Sequence, residues 1–219
     1  MKTLQIATFG SDGQDTIALG IKNFPVHKLV LLCFEEDKSK AEEFSRRIKS
    51  VLGLPISVTL VNKDNVIRDT MERINEVLEI DKNEFEDILM NVSCGDKLLG
   101  CAALSTAFIH GIKAFGMNYN HTMPLMMPVL KLSYNEIISE PKKKILVAIV
   151  GAGGSVDSLD QLEKISGFGK PLLSYHVQGS RDAKGLVELG LVDVEKGDRN
   201  KISAKITTLG RLLVHSNSL

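Results

Sequence analysis

Between Glu86 and Gly111 the chain passes from an apolar run, through a polar turn, into a series of small residues, and few folds accommodate that order. Ile88-Leu89-Met90 is followed by Asn91-Val92-Ser93-Cys94-Gly95-Asp96-Lys97 and then by Leu98-Leu99-Gly100-Cys101-Ala102-Ala103-Leu104. The order reads as buried strand, tight turn, helix. A helix that opens straight after a Gly-containing turn leaves its first backbone N–H groups without intrahelical partners. These point above the carboxyl end of the strand, where the helix dipole favours an anion. Lys97 places a full positive charge in the first turn, where macrodipole logic alone disfavours a cation. A phosphate would account for it; a solvated helix-start residue is the plainer alternative. Asn91, Ser93 and Gly95 surround the same turn with hydrogen-bonding and backbone-opening residues.

The residues before this stretch repeat its alternation. Leu4 to Phe9 reads as a strand ending in Gly10-Ser11-Asp12-Gly13, with a helical pattern through Ile17 and Ile21. Val26 to Phe34 is a second strand, and Val30-Leu31-Leu32 is continuous enough for a strand covered on both faces. Lys38 to Leu52 is an amphipathic helix with Ala41, Phe44, Ile48, Val51 and Leu52 on one face. Ile56 to Val61 is the third strand and Val66 to Leu78 the next helix. Strands alternating with helices predict a parallel sheet with right-handed crossovers. Ligands of such sheets sit outside the carboxyl ends of the strands, where the winding reverses. The loops Gly10–Gly13 and Asn91–Lys97 are therefore the candidates, with Gly10, Ser11, Asp12, Asn91, Ser93, Cys94, Gly95, Asp96 and Lys97 as site residues; Ser11 and Asp12 read equally as a turn and N-cap. Neither GxGxxG nor GxxxxGK[ST] is present, so no dinucleotide fingerprint or P-loop is supported, and no cofactor is expected. From Ile112 to Leu132, Ala114–Met117 and Leu125–Leu130 flank Asn118-Tyr119-Asn120-His121, a closing β-hairpin.

A length of 219 residues allows one large or two small domains. No run approaches the ~18–20 apolar residues of a membrane span, and the opening residues lead directly into a strand pattern, so no signal peptide and no membrane are expected. Cys33, Cys94 and Cys101 show neither metal spacing nor a disulfide framework and read as reduced cytoplasmic thiols. Net charge is zero, but residues 1–140 carry 15 Lys/Arg against 19 Asp/Glu, and residues 141–219 carry 12 against 8. That split hints at a polyanion for the C-terminal part.

Ser139-Glu140-Pro141-Lys142-Lys143-Lys144 reads as a domain boundary, separating residues 1–138 from 142–219. A helix beginning at Ile145 is relieved by Gly151-Ala152-Gly153-Gly154. Ser158–Ile165 is a short helix with Leu159, Leu162 and Ile165 inward, and Gly167-Phe168-Gly169 a turn. Leu172–Leu189 reads as a longer helix with Leu172, Tyr175, Gly179 and Leu186 along its core face. Val192–Glu195 and Ile202–Ile206 form a ribbon with the basic tip Lys196–Lys201, and a last helix starts at Thr208. This order predicts a winged helix-turn-helix. Its second helix would enter the major groove with Ser174, His176, Gln178, Arg181 and Lys184. Lys196, Arg199 and Lys201 of the wing, and Lys142–Lys144, would meet phosphate.

The whole pattern resembles the CARF (CRISPR-associated Rossmann fold) transcriptional regulators of archaea. Asn91–Lys97 is similar to that family's N-x-[ST]-x-G-x-K turn after the fourth strand, with Cys94-Gly95-Asp96 where the family often has Gly-Gly-Thr. Leu173–Gly179 and Lys184–Val192 are similar to its winged helices. The resemblance implies an α/β fold: a Rossmann-like, mostly parallel sheet with helices on both faces and a closing hairpin, then a winged helix. It implies a homodimer holding a cyclic oligoadenylate or related nucleotide at its two-fold axis, with double-stranded DNA as the output partner. A CARF-like ring nuclease that cleaves the ligand is the alternative, and a winged helix used for protein docking a third reading. Neither loop contains a histidine, which argues against efficient acid–base catalysis.

Overall fold

Strand β1 (Thr3–Thr8) is buried along its whole length, and the main sheet is built outwards from it. The computed structural model describes residues 2–81, 84–118, 120, 122–128, 138–180, 183–196 and 202–216, with the backbone alone for Lys196, His215 and Ser216. It divides into two units, Met1–Ser133 and Tyr134–Leu219.

In the first unit β2 (Lys28–Cys33), β3 (Ile56–Leu60), β4 (Asp87–Asn91), β5 (Lys113–Met117) and β6 (Pro124–Met126) join β1 in the order β3-β2-β1-β4-β5-β6. The first five run parallel, and β6 pairs antiparallel with β5. This is a Rossmann-like α/β sheet, and the expected hairpin closes it. The pattern that made β1 and β2 legible also sets their two faces, because successive side chains of a strand point to opposite sides. Leu4, Ile6, Val30, Leu32 and Met90 pack against α3 (Val66–Asp81) and α4 (Lys97–Ile109) through Ile74, Leu78, Leu99 and Ala103. Ala7, Leu29 and Leu31 pack against α1 (Gln14–Asn23) and α2 (Lys38–Leu52) through Ile17, Ala41 and Phe44. Each large side chain buried there contributes about 1.5–3 kcal/mol. The apolar stripe of α2 stops early: Val51 and Leu52 are exposed. A partly buried ion pair, Lys28 Nζ to Asp81 at 2.7 Å, ties β2 to the end of α3.

The winding reverses between β1 and β4, which leave the sheet centre towards opposite edges. The loops following these two strands therefore open at the position where an open α/β sheet leaves a crevice.

The second unit contains α5 (Glu140–Gly151), β7 (Ser155–Val156), α6 (Leu159–Ser166), α7 (Lys170–Gln178), β8 (Gly179–Ser180), β9 (Ala183–Lys184), β10 (Val192–Lys196), β11 (Ile202–Ile206) and α8 (Thr208–Ser216). β10, β11 and β7 form an antiparallel sheet. Four local expectations are corrected. The helix expected from Ile145 begins earlier, at Glu140: Ser139 is the N-cap of α5 and Pro141 lies in its first turn, where its missing N–H costs nothing. Leu172–Leu189 is not one helix. It ends at Gln178 because Gly179 adopts φ 90°, and the β8–β9 hairpin follows. Leu186 and Val187 then donate to the carbonyls of His176 and Val177, which brings the chain back over the helix end. A Cβ at Gly185 would collide with the Gly179 nitrogen, so the crossing requires glycine there. The core face of α7 is also rotated by one residue: Leu173, His176 and Val177 are buried, whereas Leu172 and Tyr175 are exposed. Ile165 of α6, expected inward, is exposed as well.

Candidate functional site

The loop after β1 and the turn after β4 meet, and glycine is the reason they can. A Cβ at Gly10 would lie 2.8 Å from the Gly95 Cα, and one at Gly95 would lie 3.1 Å from the Phe9 carbonyl carbon. Gly95 also has φ 95°, a conformation that side chains other than glycine rarely adopt. Thr8 Oγ1 donates to the Cys94 carbonyl at 2.5 Å, holding the turn onto the end of β1. The Cys94 thiol donates to the Asp12 carbonyl at 3.0 Å and receives the Gly10 N–H at 3.4 Å. Cys94 is thus a wedge between the two loops rather than a nucleophile. Burial pushes its thiol pKa up, so the thiolate is scarce.

Asn91 occupies the last position of β4 and is fully buried. Its Oδ1 accepts from the Ser93 N–H at 3.0 Å and from Ser93 Oγ at 2.5 Å. This Asx turn sets the exit from the strand. Asn91 Nδ2 faces Gly20 of α1 beside the Gln5 amide; a Cβ at Gly20 would meet the two nitrogens at 2.8 and 3.2 Å. Asn91 therefore shapes the turn from below and does not line its surface, contrary to the expectation that it bonds a ligand directly.

Asp96 is the N-cap of α4. Its Oδ1 accepts from Leu98 N at 2.8 Å and from Leu99 N at 3.3 Å. The open helix start expected from the sequence is therefore already filled by the chain's own carboxylate. The signal was present, since Asp directly before a helical pattern is a preferred N-cap. Lys97 follows, exposed, and among the described residues neither it nor Asp96 has an ion-pair partner.

A cavity of about 390 Å³ opens beside this turn, lined by Val92, Ser93, Cys94, Gly95, Asp96, Lys97, Gly100, Cys101 and Leu104. Five of the nine expected residues stand in its wall. Gly10 packs beneath Gly95, Asn91 lies inside the sheet, and Ser11 and Asp12 are not in the lining. The sequence reading missed Val92, Gly100, Cys101 and Leu104. The last three follow Lys97 at i+3, i+4 and i+7, a helix face that spacing alone could have supplied. A second cavity, of about 410 Å³, lies over the ends of β2 and β3, lined by residues including Glu35, Glu36, Lys63 and Arg73. Among the described residues, no three His, Cys, Asp or Glu side chains converge as a metal site would require, and no helix is long and apolar enough to cross a membrane.

In the second unit Gln178 and Lys184 are exposed and Ser174 is half-buried. His176 is not on an open face: it is 8% exposed, and its ring packs edge-on to Tyr175. Lys142 is buried too and donates to the Lys184 carbonyl at 2.6 Å. It braces α5 against β9 and cannot reach a phosphate. Lys143 pairs with Glu140 at 2.8 Å, and Lys144 is exposed. Arg181, Arg199, Lys201, Tyr119 and His121 lie outside the described residues, as does the side chain of Lys196.

No protein-family model matches the chain. An uncharacterized protein from Archaeoglobus fulgidus is 27% identical over 195 residues, covering 87% of this chain and 86% of that one. The structure of Enterococcus italicus Csm6 bound to cyclic hexa-2′-fluoro-hexa-dAMP matches with a TM-score of 0.50 at 11% identity, over 69% of this chain and 47% of Csm6. The structure of Can2 from Sulfobacillus thermosulfidooxidans in complex with cyclic tetra-adenylate matches at 0.43 and 14% identity, over 66% of this chain and 46% of Can2. The chain thus spans about half the length of each of these two proteins. What it shares with Csm6 is the fold, an α/β arrangement around a mostly parallel sheet.

Proposed function

We propose that this chain is a ligand-responsive, DNA-binding transcriptional regulator of the CARF type. Its first domain, residues 1–138, senses a cyclic oligoadenylate or related nucleotide at a homodimer axis. Its second, residues 142–219, binds double-stranded DNA as a winged helix-turn-helix. The observation that carries the reading is the meeting of the Gly10 loop and the Gly95 turn at the reversal point of the sheet, beside a cavity whose wall holds Lys97, which has no ion-pair partner among the described residues. An exposed ammonium near Ser93 and Gly95 suits a phosphate with a hydroxyl-bearing sugar next to it. Csm6, whose fold this chain resembles over 69% of its length, is bound to a cyclic oligonucleotide.

Two further features support the assembly. β6 is an edge strand, and Met123, Leu125 and Met126 are exposed on or beside it, the kind of edge that another chain covers. A symmetric ligand fits a two-fold interface, because each subunit offers the same turn. In the second unit the order helix, short strand, helix, helix, small hairpin, ribbon, helix supports the winged-helix reading, and Gln178 and Lys184 present polar and cationic groups to solvent.

The test is calorimetry of cyclic tetra- and hexa-adenylate against the native protein and Lys97→Ala. Loss of one charge-assisted phosphate contact should weaken binding by about 1.5–3 kcal/mol per subunit, with circular dichroism unchanged. Equal affinity in the two proteins would remove the turn from the site. The ring-nuclease alternative needs in-line positioning of a ribose 2′-hydroxyl with Lys97 stabilising the developing charge. Linear products after incubation with either cyclic substrate would establish it. Failure to retain any duplex would leave the second unit as a protein-docking module.

A further inference from the structure

Resting on the nucleotide-sensing reading, we infer that Asp96 is a specificity-determining residue: it cancels the advantage Lys97 would give to a doubly charged phosphate and tunes the crevice to singly charged phosphodiesters. The first observation is the N-cap. Asp96 Oδ1 holds the Leu98 and Leu99 amides, so two donors that would otherwise attract an anion to the start of α4 are occupied. The second is position. Asp96 and Lys97 are consecutive, both exposed, both in the wall of the same cavity, and neither has an ion-pair partner among the described residues. A phosphate reaching Lys97 therefore approaches a fixed carboxylate at comparable range.

The charge arithmetic gives the direction. A phosphodiester carries one negative charge, whereas a phosphomonoester carries about 1.5–2 at neutral pH. Lys97 alone would favour the monoester. A carboxylate at similar distance repels the monoester more than the diester and removes that preference. At roughly 8 Å in a solvent-exposed site, one extra charge pair corresponds to about a three-fold change in affinity. Asp96 thus removes the advantage that a linear strand ending in a monoester would have over an intact cyclic ligand, which has only diesters.

The experiment compares the native protein with Asp96→Asn, which retains a good N-cap but removes the charge. The probes are cyclic tetra-adenylate, linear tetra-adenylate with a 5′-phosphate, and inorganic phosphate, the last followed by NMR at the Gly95 and Lys97 amides. The native protein should bind the cyclic ligand at least as tightly as the linear one at low salt. Asp96→Asn should gain about three-fold more for the linear ligand than for the cyclic one, and the gain should shrink as salt is added. An unchanged cyclic-to-linear ratio overturns the inference while leaving the sensing reading intact. If neither oligonucleotide binds but phosphate shifts the turn amides more in Asp96→Asn than in the native protein, the sensing reading fails and the charge role of Asp96 stands. If phosphate also acts alike on both proteins, the inference falls with the reading.

Discussion

Gly10 and Gly95 cross with no room for a side chain: a Cβ at the first would lie 2.8 Å from the Cα of the second. The obstacle is backbone, which cannot swing aside as a flexible side chain would. Gly10→Ala should therefore push the β1 loop and the β4 turn apart, destabilising the protein by about 1–3 kcal/mol. Thermal unfolding reads that loss. Calorimetry at a temperature where the variant is folded should show weaker oligoadenylate binding than in the native protein, because Lys97 moves with the turn.

The three cysteines should separate by reactivity. Cys33 and Cys94 are buried and Cys101 is exposed. Burial, reinforced by the charges of Asp37 and Glu35, pushes the Cys33 thiol up to about 12, and burial also raises Cys94. Titration of the folded protein with a thiol reagent at pH 8 should label Cys101 fast and the other two only after denaturant is added. Cys101 lines the crevice wall with Lys97, so a bound oligonucleotide should slow its labelling.

Acidification should destabilise both units through buried histidines. Burial lowers the pKa of His110, whose Nε2–H donates to Asn75 Oδ1 at 2.7 Å, and burial aided by the nearby Lys142 charge lowers that of His176. In the unfolded chain each titrates near its ordinary value of about 6.5. The unfolded state therefore binds more protons as pH falls through that value, and stability is lost. Above pH 7 both states hold neutral imidazoles and the effect vanishes. Melting temperatures measured from pH 7.5 to 5 should fall, and His176→Asn should flatten that dependence in the second unit.

The DNA reading separates two exposed residues by kind. Gln178, at the end of α7, should read a base: Gln178→Ala should cost about 1–3 kcal/mol per half-site and relax preference at one position. Lys184, in β9, should meet the backbone: Lys184→Ala should weaken cognate and random duplexes alike and lower the salt slope by about one phosphate per subunit. Both are on exposed positions, so stability should move by less than about 0.5 kcal/mol. Titration of both duplexes across a salt series checks the pair, and unchanged binding in both variants would remove this face from the DNA interface.

Much of the first unit was legible because its signals are local. The apolar continuity of Val30-Leu31-Leu32, the stripe of Ala41 and Phe44, and the break at Asn91–Lys97 each follow from a period of a few residues. They also placed the two loops correctly at the reversal of the sheet. Tertiary structure decided what each loop residue does. Asn91 is a polar residue in a turn-like sequence, yet Gly20 of α1 closes over it and makes it a buried hinge for Ser93. Leu172–Leu189 supports either of two helical phases, since Leu172 and Tyr175 offer as much apolar surface for burial as Leu173 and Val177. Packing chose the second phase, and the backbone crossing of Gly179 and Gly185 ended the helix. Hydrophobic periodicity is set along the chain, so the sequence alone determined the strands, most of the helices and the order in which they alternate. Burial and close backbone approach depend on segments remote in sequence, so only the folded chain decided that Asn91 lies inside the sheet and that Gly10 and Gly95 cross.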